Sequence, residues 1–214
     1  MLARSPRDAV SLVSLLSDVE ERDAILDHDL IYNSVVDQTG CLQVSAAFYF
    51  YVLTRRVLRR VSLDERALTD YVAAVLLAFS NISQLQAPEE KNYTTRNFTY
   101  VSDILVRLNS CSPEQGYILR LHLANYALFL SGMFAERVHS HAQRRGAPGL
   151  SFYEAVGQSS FLSAAQHPQA KRTELQAIFE MLGNEFRRVR IALNDLTDTL
   201  LHFHPPSPII IRPS

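Results

Sequence analysis

The chain has 214 residues, of which 47% are hydrophobic and 20% are charged, and its formal net charge is -1. This near-neutral charge excludes a general electrostatic attraction to nucleic acid or to anionic membranes. A chain of this length buries one large core, so its two cysteines, Cys41 and Cys111, are not needed as a disulfide framework. The N-terminal residues lack the uninterrupted apolar segment of a signal peptide. We therefore expect a cytoplasmic protein with no cofactor and no membrane partner.

Helical caps and apolar spacing predict an all-α fold, a single-domain helical bundle of about seven to nine helices. Four serines precede an acid or glutamine by three positions, which is the spacing of a capping box at a helix start: Ser17, Ser62, Ser112 and Ser151. In chain order, the predicted helical segments are 7–16, 18–37 with a break, 44–60, 63–80, 99–109, 113–141, 151–166, 170–182 and 185–203. Segments 44–60 and 113–141 are the two central helices, because each contains a stretch that is apolar on nearly all sides.

An arginine cluster closes the first central segment and consists of Arg55, Arg56, Arg59 and Arg60. Guanidinium groups match the geometry of phosphate, so this cluster indicates binding of an anion or of nucleic acid as one hypothesis. The alternative is a solvated helix end, where the helix dipole favours cations. A second cluster opens the last helix with Arg187, Arg188 and Arg190, and there the alternative is ion pairing with acidic side chains.

A polar stripe runs through the most apolar segment, at helical spacing: Ile118, His122, Asn125, Phe129, Gly132 and Glu136. Burying such polar groups without partners costs on the order of 1–3 kcal/mol each. We therefore predict that His122, Asn125 and Glu136 bind a ligand in an internal polar pocket. The alternative interpretation is a structural hydrogen-bond network that is satisfied within the protein.

Glu136 and His139 form a Glu-x-x-His pair, the spacing that places two metal ligands on one helical face in carboxylate-bridged di-metal bundles. Such a site needs a second Glu-x-x-His pair and two further glutamates. The sequence contains no second pair. A metal site at Glu136 and His139 is therefore an alternative to the pocket.

The last predicted helix begins after Asn184, a candidate N-cap, and has the clearest apolar stripe: Phe186, Val189, Leu193, Leu196, Leu200 and Phe203. The helical domain spans residues 1–204. Residues 205–214 contain four prolines and the run Ile209, Ile210 and Ile211, which predicts an extended arm. Because apolar residues are costly to leave in water, we expect the arm to dock onto a groove or onto a second subunit, which would make a homodimer.

The usual enzyme signatures are absent from the sequence: there is no Walker loop, no G-x-G-x-x-G, no G-x-S-x-G and no H-E-x-x-H. We therefore expect a non-catalytic helical binding or interaction protein, with a protein or small molecule as partner. One alternative is a metal-dependent or helical-pocket enzyme that uses Glu136, His139 and His122. The other is nucleic-acid or anion binding through the arginine clusters.

Overall fold

A computed structural model of the chain describes residues 18–37, 45–85 and 93–203, with side chains described at 18–37, 45–80 and 101–198. These residues form helices and no strand, which confirms the all-α fold. The helices are α1 (Val19–Leu26), α2 (Asp29–Asp37), α3 (Ala46–Arg60), α4 (Arg66–Leu85), α5 (Tyr93–Leu108), α6 (Pro113–Met133), α7 (Ala135–Arg145), α8 (Leu150–Ala165), α9 (Pro168–Arg172), α10 (Gln176–Asn184) and α11 (Phe186–Phe203). The described part thus has slightly more helices than predicted. The segments 7–16 and 205–214 lie outside the described residues.

The core forms around α6, which packs against α4, α5, α7, α8 and α11. Its side chains Leu123 and Leu128 are fully buried, as are Phe161 of α8 and Phe179 of α10. The other predicted central segment, α3, packs against α2, α4 and α11. Its first turn is exposed, and its buried residues lie in the second half of the helix, from Val52 to Leu58.

The predicted segment 113–141 is not one helix but two, which meet at Phe134 at an angle of 91°. Gly132 lies so close to α11 that a Cβ there would come within 2.9 Å of Leu193. The carbonyl groups of Ser131 and Gly132, near the end of α6, accept hydrogen bonds from the side-chain amide of Asn194 on α11. The break between α6 and α7 therefore lies where the end of α6 packs against α11. Among the described helices, none alone has the length and apolarity to span a membrane; α6 and α7 meet that test only as this bent pair.

One of the predicted capping boxes is confirmed. The side chain of Ser112 accepts from the backbone N–H of Gln115, and the side chain of Gln115 accepts from the backbone N–H of Ser112. The box at Ser62 is wrong, because α4 begins only at Arg66. Ser62 instead has a left-handed backbone, with φ 58°, just after α3. The N–H of the next residue, Leu63, returns to a carbonyl of α3, which is the hydrogen-bond pattern that ends many helices.

Two other predicted helix starts are also wrong, although the helices themselves exist. Ser151 lies inside α8, whose N-cap is Gly149, and Asn184 is the last residue of α10. Ser17 lies outside the described residues, and the N-cap of α1 is the adjacent Asp18. Capping residues are small and polar, and such residues are also common inside helices and at helix ends, so spacing alone misplaces some boundaries.

The predicted stripe of the last helix is confirmed where side chains are described. Phe186, Val189, Leu193 and Leu196 of α11 are each fully buried, at 0% exposure. The remaining stripe positions, Leu200 and Phe203, have no described side chain. The apolar stripe thus attaches α11 to the body of the bundle, against α3, α6, α8 and α10.

Candidate functional site

The arginine cluster at the end of α3 pairs with carboxylates of the same chain. Arg55 is buried; its Nε lies 2.9 Å from Asp27 Oδ1 and its Nη2 lies 3.1 Å from Asp27 Oδ2. Arg55 also pairs with Asp64. This two-pronged geometry is the one by which a guanidinium recognises a carboxylate or a phosphate. A carboxylate of the protein therefore occupies the position at which the anion hypothesis places a phosphate.

The other arginines of the cluster are less buried, but two of them also pair within the chain. Arg56 pairs with Asp29 at the start of α2, and an Nη atom of Arg59 lies 3.6 Å from a carboxylate oxygen of Asp27. Arg60 is exposed. The cluster is therefore not an open cationic surface. The alternative of a solvated helix end is wrong for the buried arginine at its centre.

Asp27, the residue that ends α1, is the centre of this ionic network. Its Oδ2 lies 2.9 Å from Nη2 of Arg66, and one turn earlier Asp23 Oδ2 lies 2.6 Å from Nε of Arg66. Burial raises the pKa of Asp27, but the hydrogen bond from Arg55 and the charges of Arg55, Arg66 and Arg59 outweigh it, so the pKa lies below its ordinary value. The carboxylate is ionised, and the network holds α1 against α3 and α4.

Sequence reasoning missed the acidic half of this network. Asp23 and Asp27 are four residues apart, and so are Arg55 and Arg59, so each pair lies on one face of its helix. That matched spacing of opposite charges is the only signal in the sequence. The spacing does not show that α1 lies against α3, because periodicity in a sequence describes each helix separately.

The second arginine cluster contributes a separate polar junction. Arg190 is buried, with its Nε 2.7 Å from Oε1 of Glu154 and an Nη atom 2.7 Å from Oδ1 of Asn194. Asn194 in turn donates to the carbonyl groups of Ser131 and Gly132 at the break after α6. The predicted ion pairing is confirmed for Arg190, which joins α8 to α11 beneath the bend.

The break also divides the predicted polar stripe. His122 and Asn125 lie on α6 and are half-buried, whereas Glu136 lies on α7 beyond the 91° bend and is exposed. The prediction that these three residues share one helical face is therefore wrong. The spacing is helical, but the helix does not continue through Phe134.

The two residues on α6 have different surroundings. Asn125 Oδ1 accepts a hydrogen bond of 2.9 Å from the hydroxyl of Tyr71 on α4. Burial raises the pKa of Tyr71 well above its ordinary value, so that hydroxyl remains a donor. His122 lies beside the rings of Phe79 and Tyr126, at centroid distances of 5.9 and 6.5 Å, and burial lowers its pKa. The contact of Asn125 fits the structural alternative, while ligand binding by either residue stays a prediction.

The Glu-x-x-His pair lies on the surface of α7. Glu136 and His139 are both exposed, and Nε2 of His139 is 2.8 Å from the side-chain nitrogen of Gln143. Within the described ranges, no group of three His, Cys, Asp or Glu side chains is arranged to hold a metal ion. His122 is on the other side of the bend. The metal hypothesis thus has no further support in the described geometry.

A groove of about 630 Å³ lies between α1, α3 and α4, and we call it the α1 groove. One face of α1 lines it, at positions spaced by three and four residues from Val19 to Leu26. Phe48 of α3 and Leu77 of α4 contribute apolar surface, and three alanine side chains of the same helices also line the groove. Its charged lining residues are Arg22, Asp23, Arg66 and Asp70.

The charges in the α1 groove are unequally paired. Arg66 is bound by Asp23 and Asp27 and also donates 2.9 Å to the hydroxyl of Tyr51, while Arg22 lies 3.5 Å from Asp23. The exposed carboxylate of Asp70 forms no hydrogen bond or salt bridge with any described residue. Partial burial raises the pKa of Asp70, although the charges of Arg66 and Arg22 lower it, and the neighbouring Asp23 raises it again. The groove therefore contains one carboxylate that is available to a ligand.

Two smaller cavities lie elsewhere. One of about 460 Å³ opens at the bend between α6 and α7 and is lined in part by Glu136, Asn194 and Asp198. The other, of about 360 Å³, lies beside Cys111 near the start of α6. Neither His122 nor Asn125 lines the α1 groove or these two cavities. The residues predicted to form one pocket are thus separated.

Comparisons of the chain with protein-family models, with characterised proteins and with solved structures give no significant match. Its function is therefore argued from the geometry of its own residues. The α1 groove is the largest of the three cavities, and it combines apolar walls with an acid that no described residue pairs with.

Proposed function

We propose that the chain is a non-catalytic binding protein whose ligand is a small organic cation with an apolar body, bound in the α1 groove. The observation that carries this proposal is the carboxylate of Asp70. Asp70 lines the groove together with the apolar side chains of Phe48 and Leu77, and no described residue forms a salt bridge with it. An ammonium group opposite Asp70 would supply the missing charge, and its hydrocarbon part would cover Phe48 and Leu77.

The dimensions of the groove support a small ligand. Small-molecule sites measure about 300–1,000 Å³, and they combine a mostly apolar lining with a few polar groups that orient the ligand. The α1 groove, at about 630 Å³, has both features. Burial of apolar surface contributes about 25 cal/mol per Å² to binding before the cost of association is subtracted.

The charge pattern supports a cation over an anion. Both arginines in the groove already face Asp23, and Arg66 is further neutralised by Asp27. An anionic ligand would compete with those carboxylates and would approach Asp70. A cationic ligand meets an exposed carboxylate that has no salt-bridge partner among the described residues.

This proposal moves the predicted site away from His122, Asn125 and Glu136, and it retains the predicted class of protein. The enzyme alternative has less support, because the bend separates His122 from Glu136 and His139. The nucleic-acid alternative has less support because Arg55, Arg56 and Arg59 pair with aspartates. On sequence grounds alone, we also propose a cytoplasmic location and a homodimer formed through residues 205–214.

Binding of three probes of equal length tests the proposal. Hexylammonium, hexanol and hexanoate share an apolar chain and differ in the charge of the head group. We expect titration calorimetry to show the tightest binding for hexylammonium and none for hexanoate. The affinity for hexylammonium should fall as the pH drops through the raised pKa of Asp70, because the protonated acid no longer attracts a cation.

Two variants locate the site. Asp70→Asn should abolish the preference for hexylammonium over hexanol, since it removes the carboxylate and keeps its shape. The matched control is Asp103→Asn, which neutralises an exposed aspartate on α5, outside the groove. Equal binding of all three probes, or a preference that survives Asp70→Asn, would contradict the proposal.

A further inference from the structure

The attachment of α1 differs from that of an ordinary surface helix. None of its eight residues is buried, and its apolar and polar residues are not separated onto opposite faces. A helix this short is not stable alone in water, because nucleation is costly and few hydrogen bonds follow it. Contacts with the rest of the molecule must therefore keep α1 in place.

The polar contacts of α1 with α3 and α4 are ionic, and they stand beside the half-buried side chains of Ile25 and Leu26. Arg66 of α4 reaches α1 through Nε, 2.6 Å from Asp23 Oδ2, and through Nη2, 3.1 Å from the backbone carbonyl of the same residue. At the end of α1, Asp27 pairs with Arg55 and Arg66. Asp23 is partly exposed, so its ion pair is hydrated, and pairs of this kind contribute only modestly and weaken in salt.

The helix that follows is anchored in a different way. Val35 and Val36 of α2 are buried in the core, at 4% and 3% exposure. Only Asp27 and His28 connect α1 to α2. A weakly held helix is thus joined by a two-residue connection to a firmly held one. This is the arrangement of a hinged element, since local opening occurs where few apolar contacts would be lost.

We propose that α1 is a lid on the α1 groove, closed by the ion pair between Asp23 and Arg66 and hinged at Asp27–His28. The inference rests on the proposed function, because it describes how access to that site is controlled. In the closed state one face of α1 forms a wall of the groove. Breaking the Asp23–Arg66 pair releases this wall and opens the groove, while α2 to α4 keep their packing.

Hydrogen exchange followed by mass spectrometry tests the lid without a ligand. The variant is Asp23→Asn, which removes the charge and keeps the shape of the side chain in the full chain. Asn and Asp have similar helix propensities, so faster exchange would not reflect a weaker helix. The matched control is Glu21→Gln, which removes a charge from the exposed side of the same helix.

We expect the amides of α1 to exchange at least about twofold faster in Asp23→Asn, as loss of a partly exposed ion pair implies. The amides of α3 and α4 should not change, and Glu21→Gln, which removes only an acid of the first turn, should change α1 less than Asp23→Asn does. Exchange in α1 that is equal in all three proteins would overturn the lid, as would faster exchange throughout the bundle.

The probes then separate the two proposals. If α1 is a lid, Asp23→Asn should raise the association rate constant of the uncharged hexanol, measured by stopped-flow fluorescence displacement, relative to Glu21→Gln, because the lost charge of Asp23 does not act on an uncharged probe. If no variant binds hexylammonium while α1 still exchanges faster in Asp23→Asn, the ligand proposal fails and the lid stands. Binding with unchanged exchange in α1 supports the groove and rejects the lid.

Discussion

α1 and α11 belong to the same bundle but are attached by opposite means. α11 places five fully buried apolar side chains against the core, whereas α1 buries no residue and is held by ion pairs to Arg55 and Arg66. Apolar burial acts over the whole contact area and involves no charges that salt could screen. A few partly hydrated ion pairs can be broken one at a time. The comparison indicates that α11 stays packed in the bundle, whereas α1 can separate from it.

The largest effect is expected from truncating the apolar stripe of α11. Leu193→Ala should lower the free energy of unfolding by about 2–5 kcal/mol, because it removes fully buried methyl groups and leaves a cavity. Urea denaturation at pH 7 measures this loss. Ile191→Ala is the control in the same helix: at 39% exposure it should cost at most about 0.5 kcal/mol. A loss below about 0.5 kcal/mol for Leu193→Ala would show that the stripe is not packed as described.

A smaller effect is expected from the ionic attachment. Asp27→Asn should lower the free energy of unfolding by roughly 1–3 kcal/mol at pH 7, because it weakens a pairing with the buried Arg55. The folded pKa of Asp27 is depressed, so its contribution is present above the unfolded pKa of about 3.9 and is lost as the pH falls through the folded value. Denaturation series of both proteins at neutral and acidic pH should therefore converge in acid. A difference that stays constant with pH would contradict the ionic origin.

The smallest effect concerns a neutral hydrogen bond in the firmly packed part. Tyr71→Phe should cost about 1 kcal/mol, because Asn125 Oδ1 loses its donor while the aromatic packing remains. Calorimetry of thermal unfolding measures this loss in the free energy of unfolding. In the double variant with Asn125→Leu the loss should be partly recovered, since no polar atom is then left without a partner. A double variant as unstable as the sum of two single losses would contradict a direct bond.

The sequence predicts α11 and the fold class well, because an apolar stripe is a property of one helix and needs no knowledge of its neighbours. The box at Ser112 is predicted for the same reason, since both partners lie within four residues. The break at Phe134 is not predicted. It accompanies contact with Leu193 and Asn194, which are about sixty residues away along the chain.

The α1 groove was also beyond prediction. Its lining comes from three helices, and none of its four charged residues belongs to a recognisable motif. The sequence did single out Arg55, but its two interpretations were an external anion and a solvated helix end, and Arg66 was not part of the predicted cluster. Spacing shows that Arg55 and Arg59 share a face. It does not show that Asp27 lies opposite them.

Hydrogen exchange of α1 and α11 in one sample, at two salt concentrations, tests the central contrast most directly. Raising the salt from about 0.1 M to about 1 M shortens the Debye length from about 10 Å to about 3 Å. The ionic attachment of α1 predicts that its amides exchange faster at high salt, while those of α11 between Phe186 and Leu196 keep their rates. Equal responses in the two helices, or slower exchange of α1 at high salt, would contradict the account.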